Sequence, residues 1–596
     1  MPLASILAAT LALSPPIASE WATQAERSNY TQTPRYAETY EYFSKLDASS
    51  DNGELIQFGT SPQGRKQFAL VIASGGEFTP LAAKASGKPV LLIQGCIHAG
   101  ENEGKDALMA LSREWLIEAK QKAALEGVIL LLIPIFNVDG HERFSAFSRI
   151  NQNGPNEMGW RATAQNYNLN RDFMKAESPE MRAWLKLWQA WNPSLLVDMH
   201  NTNGSDYQYH LTYHFETSSA VHPAIVAWQE QTWNKQVVPR TERLGTEKRE
   251  FLLAPYVDLK VPDDIKSGIV NNYSPPRYSA GFGVAVNRPS LLLETHMLKD
   301  FKTRVQVNQA FVRELLTSIG SNPKALLDAV TQADRDSAAN SVGRDFVLDF
   351  KVTDKPVDFS FKGFAYRKTR SDVSGGLWTR YNPSKPETWT VPYFNKLEPA
   401  TKVILPAAYL IPGHWRSAIR LLRRHGVKMQ TISTAQTVKA ANTYRFSDVV
   451  YAPQPFEGRV RLASLAARVV NEDLAFAPGS VLVRMNQTRA HLIAHLLEPL
   501  APDSMVRIGL ADGFMTRTEY AEPRVLEAKA REMLTQDAKL QTEFDAKLAD
   551  PIFAASASAR LNFFYERTGY FDQHYLRYPV ARLSTSELAT ILNRND

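Results

Sequence analysis

Two histidines and two glutamates stand where long apolar runs end. "PVLLIQGCI" leads into His98 with Glu101 three residues on, "SLLVDM" leads into His200, and "PSLLL" leads into Glu294. A fourth run, "VILLLIPIF", leads into Asn137, Val138, Asp139 and Gly140. His98, Glu101 and His200 form a two-histidine, one-carboxylate set, which suits a catalytic zinc ion with an open fourth position. A water in that position ionises near neutral pH, and Glu294 is a carboxylate able to take its proton. A histidine after a strand is usually a polar loop residue, and an HxxE string recurs by chance. Their joint placement carries the argument. In an open α/β sheet the ligand crevice lies beyond the carboxyl ends of the strands, and four distant segments bring chemically capable residues to such ends.

The elements that must position them are strands covered on both faces. "QFALVIAS", "PVLLIQGC", "VILLLIPIF", "SLLVDMH" and "SLLLETH" are continuously apolar instead of alternating, as strands beneath helices are. Helical patterns fall between them. "ENEGKDALMALSREWLIEAKQ" is one, and "SPEMRAWLKLWQAW" is another, with Ser178 as cap, Pro179 in the first helical position and Pro193 past the end. Strand alternating with helix predicts an α/β domain with a mostly parallel, mixed sheet flanked by helices over residues 35–325. Past about residue 340 the pattern changes. "FVLDFKV", "VDFSFKGFAYRKT" and "ETWTVPYF" alternate with period two, as in a half-solvated antiparallel sheet. "KVILPAAYLIP" and "SVLVRM", each followed by a helical pattern, return to mixed structure, so residues 340–596 read as an α+β extension of one or two domains.

These motifs resemble the M14, or carboxypeptidase A-like, zinc metallopeptidases, and within them a bacterial branch with a long C-terminal extension. "HAGE" matches the family's HxxE, "PIFNVDGHERF" its P-x-x-N-P-D-G segment, "VDMH" its third ligand and "LLLETH" its catalytic glutamate. "GWRATAQNYNLNRDF" supplies a Trp-Arg pair and then an Asn-Arg pair. The resemblance implies one zinc per chain on His98, Glu101 and His200, and Glu294 as general base. It assigns Arg161 to the scissile carbonyl and its oxyanion, and Asn170 with Arg171 to the terminal carboxylate of a peptide substrate. An arginine fork binds a carboxylate in a bidentate way that lysine cannot. Two departures stand out. Asn168 occupies the place of an aspartate that orients a ligand histidine in relatives, which predicts weaker zinc binding unless Asp139 fills that role. Tyr273 and Tyr278 both qualify as the mobile tyrosine that many members place before the catalytic glutamate.

The rest of the sequence is less specific. At 596 residues the chain needs two or three domains. A net charge of +6 with 22% charged residues does not point to nucleic acid, and the basic stretch holding Arg416, Arg420, Arg423 and Arg424 reads as a solvated helix face. Cys96 is the only cysteine, so no intrachain disulfide forms, and its apolar setting predicts a buried, inert thiol. Residues 1–19 resemble a secretory signal peptide, although no Lys or Arg precedes the apolar run, which implies a periplasmic or secreted protein. No later run is long enough for a membrane span. His491 and His495, four apart near Glu498, lack the glutamate after the first histidine that a zincin needs and read as packing residues. His210, His214 and His296 are read in the same structural way. The leading expectation is thus a zinc metallocarboxypeptidase. An amidase, deacylase or cell-wall peptide hydrolase on the same metal site is the alternative, and a non-catalytic peptide-binding protein is the third reading.

Overall fold

The computed structural model describes residues 19–202, 205–245 and 250–594. The apolar leader read at residues 1–19 therefore lies, apart from Ser19, outside the described residues. Among the described residues no helix is long and apolar enough to cross a membrane.

The chain divides into two compact units. The first comprises residues 1–405, 421–427 and 486–503, and the second comprises 406–420, 428–485 and 504–596. In the first, ten strands precede residue 300: β1 Gly53–Thr60, β2 Lys66–Ile72, β3 Val90–Gln94, β4 Ile129–Ile133, β5 Leu195–Asn201, β6 Leu211–His214, β7 Leu253–Pro255, β8 Asp258–Val261, β9 Asp264–Val270 and β10 Ser290–Thr295. Eight of them form one sheet in the order β1-β2-β4-β3-β5-β10-β6-β7. The central strands β4, β3, β5 and β10 run parallel to one another, while β1, β2 and β6 join antiparallel to their inner neighbours. Every residue of β3, β4 and β5 is buried, which explains their unbroken apolar sequences. Helices Tyr36–Ala48, Glu103–Leu116, Pro179–Trp191 and Phe301–Ser321 accompany this sheet, and most of its apolar side chains join one large core. The helix Pro179–Trp191 starts as its sequence specifies: Pro179 takes the first turn and the Ser178 hydroxyl accepts from the Met181 N–H at 3.1 Å.

The first unit runs past the boundary read near residue 340. After the helix Pro323–Asn340 come β11 Asp345–Val352, β12 Val357–Arg370, β13 Leu377–Phe394 and β14 Leu397–Ile404. The β12–β13 hairpin continues the small sheet that β8 and β9 begin, with Tyr393 opposite Ile269. Tyr207, Tyr209, Ile265, Ile269, Phe361 and Val391 form a core for it. The change from helix-covered to alternating strands marks a new kind of sheet, and that sheet belongs to the same unit.

The second unit holds a six-stranded sheet of β15 Ala408–Ile411, β16 Gln430–Thr431, β17 Gln436–Tyr451, β18 Leu462–Phe476, β19 Val481–Arg484 and β20 Ala581–Leu583, ordered β16-β19-β15-β20-β17-β18. Helices from Pro523 to Tyr565 add a small aromatic core around Phe544, Phe563 and Phe564. Arg416, Arg420 and Arg423 face solvent on the helix Arg416–Arg424, whose apolar residues between them are buried.

Candidate active site

His98 and Glu101 lie in the loop after β3, and Glu101 immediately precedes the helix region opened by Asn102. Two glycines bring this loop against the Trp160-Arg161 segment. A methyl group at Gly100 would sit 2.5 Å from the Gly159 carbonyl, and one at Gly159 would sit 2.7 Å from the Ala99 carbonyl. Asn137 clamps the same segment. Its side chain accepts from the Gly140 N–H at 3.0 Å and donates to the Arg161 carbonyl at 3.2 Å, while the Trp160 N–H donates to the Gly140 carbonyl at 2.8 Å. The NVDG motif is thus a turn that holds Arg161 in place. Cys96, in a left-handed conformation at φ 53°, is fully buried in the same loop, and burial pushes its thiol up.

β5 carries His200 and β10 carries Glu294, and the two residues are direct partners in the parallel register. His98, Glu101 and His200 bring their donor atoms within 4.8 Å of one another. The Nδ1 atoms of the two histidines are 3.0 Å apart, and the Glu101 carboxylate lies 3.1 Å from His98 Nδ1 and 2.9 Å from His200 Nδ1. The far side of each ring is engaged: His200 Nε2 lies 2.9 Å from Asp198 Oδ2, and His98 Nε2 lies 3.2 Å from Asn168 Oδ1. An acceptor at Nε2 keeps the proton there and turns the Nδ1 lone pair inward, as metal-bound histidines require. With Glu101 and His200 each 1% exposed and His98 4%, the donors are almost dry.

The charge balance fits a cation. Burial alone would lower the His200 pKa, yet the Asp198 and Glu101 carboxylates hold it well above the usual value. Burial would likewise raise Glu101, but His98, Arg149 and His200 hold it well below the carboxylate range. His98 is pushed down to about 3 by burial, with Glu101 opposing and Arg161 assisting, so it is neutral and able to ligate. The residues present therefore suit zinc.

Asn168 does face His98, and its side chain also accepts from the Asn170 N–H at 3.0 Å. Asp139 does not fill that role. It is buried on the other side of the NVDG turn, where it accepts from Ser61 Oγ at 2.7 Å, the Gln63 N–H at 3.1 Å and Arg65 at 2.7 Å. Its position inside the turn directs the carboxylate away from the histidines.

A cleft of about 1010 Å³ opens beside these donors, and Arg161, Asn170, Arg171 and Glu294 all line it. Glu294 is 8% exposed and one of its oxygens has no hydrogen-bond partner. Burial, with Glu101 and Asp198 adding to it, pushes its pKa up to about 8. A divalent cation at the neighbouring donors would oppose that shift and favour the carboxylate. Arg161 Nη1 lies 3.6 Å from Glu101. Asn170 accepts from the Ser279 N–H at 3.2 Å, and Arg171 Nη1 donates to the Asn170 carbonyl at 2.7 Å. The Arg171 guanidinium lies over the Tyr278 ring, 4.2 Å from its centroid. The Tyr273 ring, also in the cleft lining, lies 4.9 Å from that of Phe350.

Several site residues were not singled out from the sequence. Asp198 precedes His200 by two on one strand, so both point to one face; an Asp-x-His strand end was the available signal. A chain of bonds supports it, from Trp184 Nε1 to Gln94 Oε1 at 2.8 Å and from Gln94 Nε2 to Asp198 at 3.0 Å. Arg149, 3.0 Å from Glu101 and 2.9 Å from Asn201, comes from a loop with no motif. Tyr256 lines the cleft, and its phenol is held well above its usual value, first by the Glu294 charge and then by burial. Among the other histidines, His210 accepts from the Leu252 N–H at 2.8 Å and His296 stacks on Tyr207 at 4.1 Å. His491 and His495 pack on Phe346, at 4.9 and 5.3 Å. His214 lies at the cleft wall, bonded to Glu216 and near Ser274.

Residues 39–243 match the family model Peptidase_M14, zinc carboxypeptidase. "Carboxypeptidase 2" of Trichophyton rubrum is 24% identical over 525 residues, covering 83% of this chain and 88% of that protein. "Probable carboxypeptidase 2" of Arthroderma benhamiae is 23% identical over 504 residues, covering 80% and 86%. These matches are longer than the span of the family model, so the relatives share sequence outside the carboxypeptidase match. Among solved structures, carboxypeptidase A of Helicoverpa armigera aligns with a TM-score of 0.37 at 15% identity, over 50% of this chain and 74% of that one. The metallo-carboxypeptidase of Pseudomonas aeruginosa aligns with a TM-score of 0.36 at 16% identity, over 49% and 69%.

Proposed function

We propose that the chain is a zinc-dependent metallocarboxypeptidase that removes the C-terminal residue of peptides with a free carboxylate. The observation that carries this reading is the convergence of His98, Glu101 and His200 beside a cleft that also holds Glu294, Arg161 and Arg171. His98, Glu101 and His200 would hold one zinc ion, which supplies Lewis acidity towards a carbonyl and activates water. Glu294, beside His200 in register, takes the proton of the attacking water and returns it to the leaving amine. Arg161 is the cleft arginine assigned to the developing oxyanion. Arg171, stacked on Tyr278, offers its fork to the substrate carboxylate, with Asn170 beside it. The size of the cleft accommodates several residues of an extended peptide, and residues 1–19 fit this reading as an export signal for a periplasmic or secreted enzyme.

The test is a digest of a peptide library, read by mass spectrometry with and without a zinc chelator. Stepwise loss of C-terminal residues from free but not amidated peptides, abolished by chelation and restored by zinc, is the expected result. Equal cleavage of free and amidated peptides would replace this reading with an amidase or endopeptidase. Zinc binding without any hydrolysis would replace it with a binding protein.

A further inference from the structure

The wall of the cleft next to Arg171 is the loop from Asn271 to Tyr278, between β9 and the short helix Ser279–Ala285. Two buried carboxylates grip it. Glu216 accepts from the Ser274 N–H at 2.7 Å. Asp503, 1% exposed, accepts from the Arg277 N–H at 2.9 Å with one oxygen and from the Arg277 guanidinium at 2.8 Å with the other. Asp503 thus holds both the backbone and the side chain of one residue. It closes the segment Asn486–Asp503, which returns to the first unit from the C-terminal half of the chain.

Arg277 and Arg171 meet at one ring. The Arg277 guanidinium lies 5.0 Å from the centroid of Tyr278, and that of Arg171 lies 4.2 Å from it. Two guanidinium groups on one ring repel each other unless one of them is neutralised nearby, and Asp503 does this for Arg277. A free arginine side chain carries about 2 kcal/mol of rotamer entropy, so an arginine already laid on a ring binds a carboxylate with less ordering cost.

We propose that Asp503 is a positioning residue for recognition of the substrate carboxylate: it fixes Arg277 and the loop so that the Tyr278 ring holds the Arg171 guanidinium in its binding orientation. The proposal rests on the reading of Arg171 as the carboxylate-binding group. It gives part of the C-terminal half a task in catalysis that no sequence motif announces.

The experiment uses the zinc-loaded full-length chain, with Asp503→Ala, Arg277→Met, Tyr278→Phe and Tyr278→Leu variants. Steady-state kinetics are measured on a matched peptide pair with free and amidated C-termini. Asp503→Ala, Arg277→Met and Tyr278→Leu should each raise KM for the free peptide by roughly 3- to 30-fold, the range of a partly desolvated cation–π contact. The turnover of folded, zinc-loaded protein should change little. Tyr278→Phe, which keeps the ring, should raise KM less than Tyr278→Leu does. If Asp503→Ala does not fold, Arg277→Met, which breaks the same ion pair from the other side, still decides. Opposite KM shifts in Asp503→Ala and Arg277→Met would make Arg277 a direct carboxylate contact and overturn the proposal. Parent-like KM in the folded variants, or losses in turnover alone, would overturn it as well. If the parent itself does not distinguish free from amidated peptides, the carboxypeptidase reading fails instead.

Discussion

At the scale of single residues, the parallel register that sets Glu294 beside His200 keeps the proposed base next to a proposed ligand without making it one. Glu294→Gln preserves shape but cannot accept a proton. Its turnover per folded molecule should fall by ~10²–10⁴-fold, while zinc content by elemental analysis stays at the parental level. Turnover within a few-fold of the parent would remove the base assignment. The two histidines differ in support, since Asp198 brings a charge to His200 whereas Asn168 brings only an amide to His98. Loss of such a partner typically costs ~10–100-fold in metal affinity. Asp198→Asn should weaken zinc by that order, and Asn168→Asp should tighten it. Competition with a chromogenic chelator measures both, and an unchanged affinity in Asn168→Asp would show that the amide already suffices. The candidate donors His98, Glu101 and His200 stand out in the sequence because each lies just past or at the end of an apolar run. Arg149 and Tyr256 do not, because their loops are placed by tertiary contacts that leave no local pattern.

Among the elements, the five strands with unbroken apolar sequences all formed, since a strand between two helical layers must be apolar on both faces. The edges were harder to read. β1 is largely half-exposed, and β6 and β7 are only four and three residues long, so their sequences show little of the pleat. The loops that deliver the ligands depend on backbone approach, which periodicity does not report. Gly159 is the sharpest case, for a methyl there would meet the Ala99 carbonyl at 2.7 Å, the His141 Cα at 2.7 Å and the Gly140 carbonyl at 2.9 Å. None of these is the free end of a side chain. Gly159→Ala should therefore cost about 1–3 kcal/mol, as overpacking does, and should displace the His98–Glu101 loop. Thermal unfolding and zinc content should fall together. A stable variant with full zinc would show that the loop yields without cost.

For the whole molecule, the change of pattern near residue 340 falls inside the first compact unit, which closes only with residues 486–503. Sequence gives no sign of this return, because the helix Ala490–Leu497 is apolar as any buried helix would be. Leu421, Leu422, Leu492, Ile493 and Leu496 of the returning segments are at most 2% exposed. Burying each is worth about 1.5–3 kcal/mol, and together they rival the ~5–15 kcal/mol net stability of a typical domain. A chain ending at Leu405 should therefore be poorly soluble or unfold at a much lower temperature than the full chain. Parent-like melting and zinc content in that truncation would show the two segments to be dispensable.

The returning segment also sets an order of events during synthesis. At ~5–20 residues per second, Asp503 leaves the ribosome some seconds after Leu405, and long after every proposed metal donor. A nascent chain therefore contains every proposed metal donor well before the residue that grips the Asn271–Tyr278 loop exists. The grip on substrate is the last part of the cleft to be supplied, so the half-made enzyme has donors in hand but an unfinished hold on any peptide it meets.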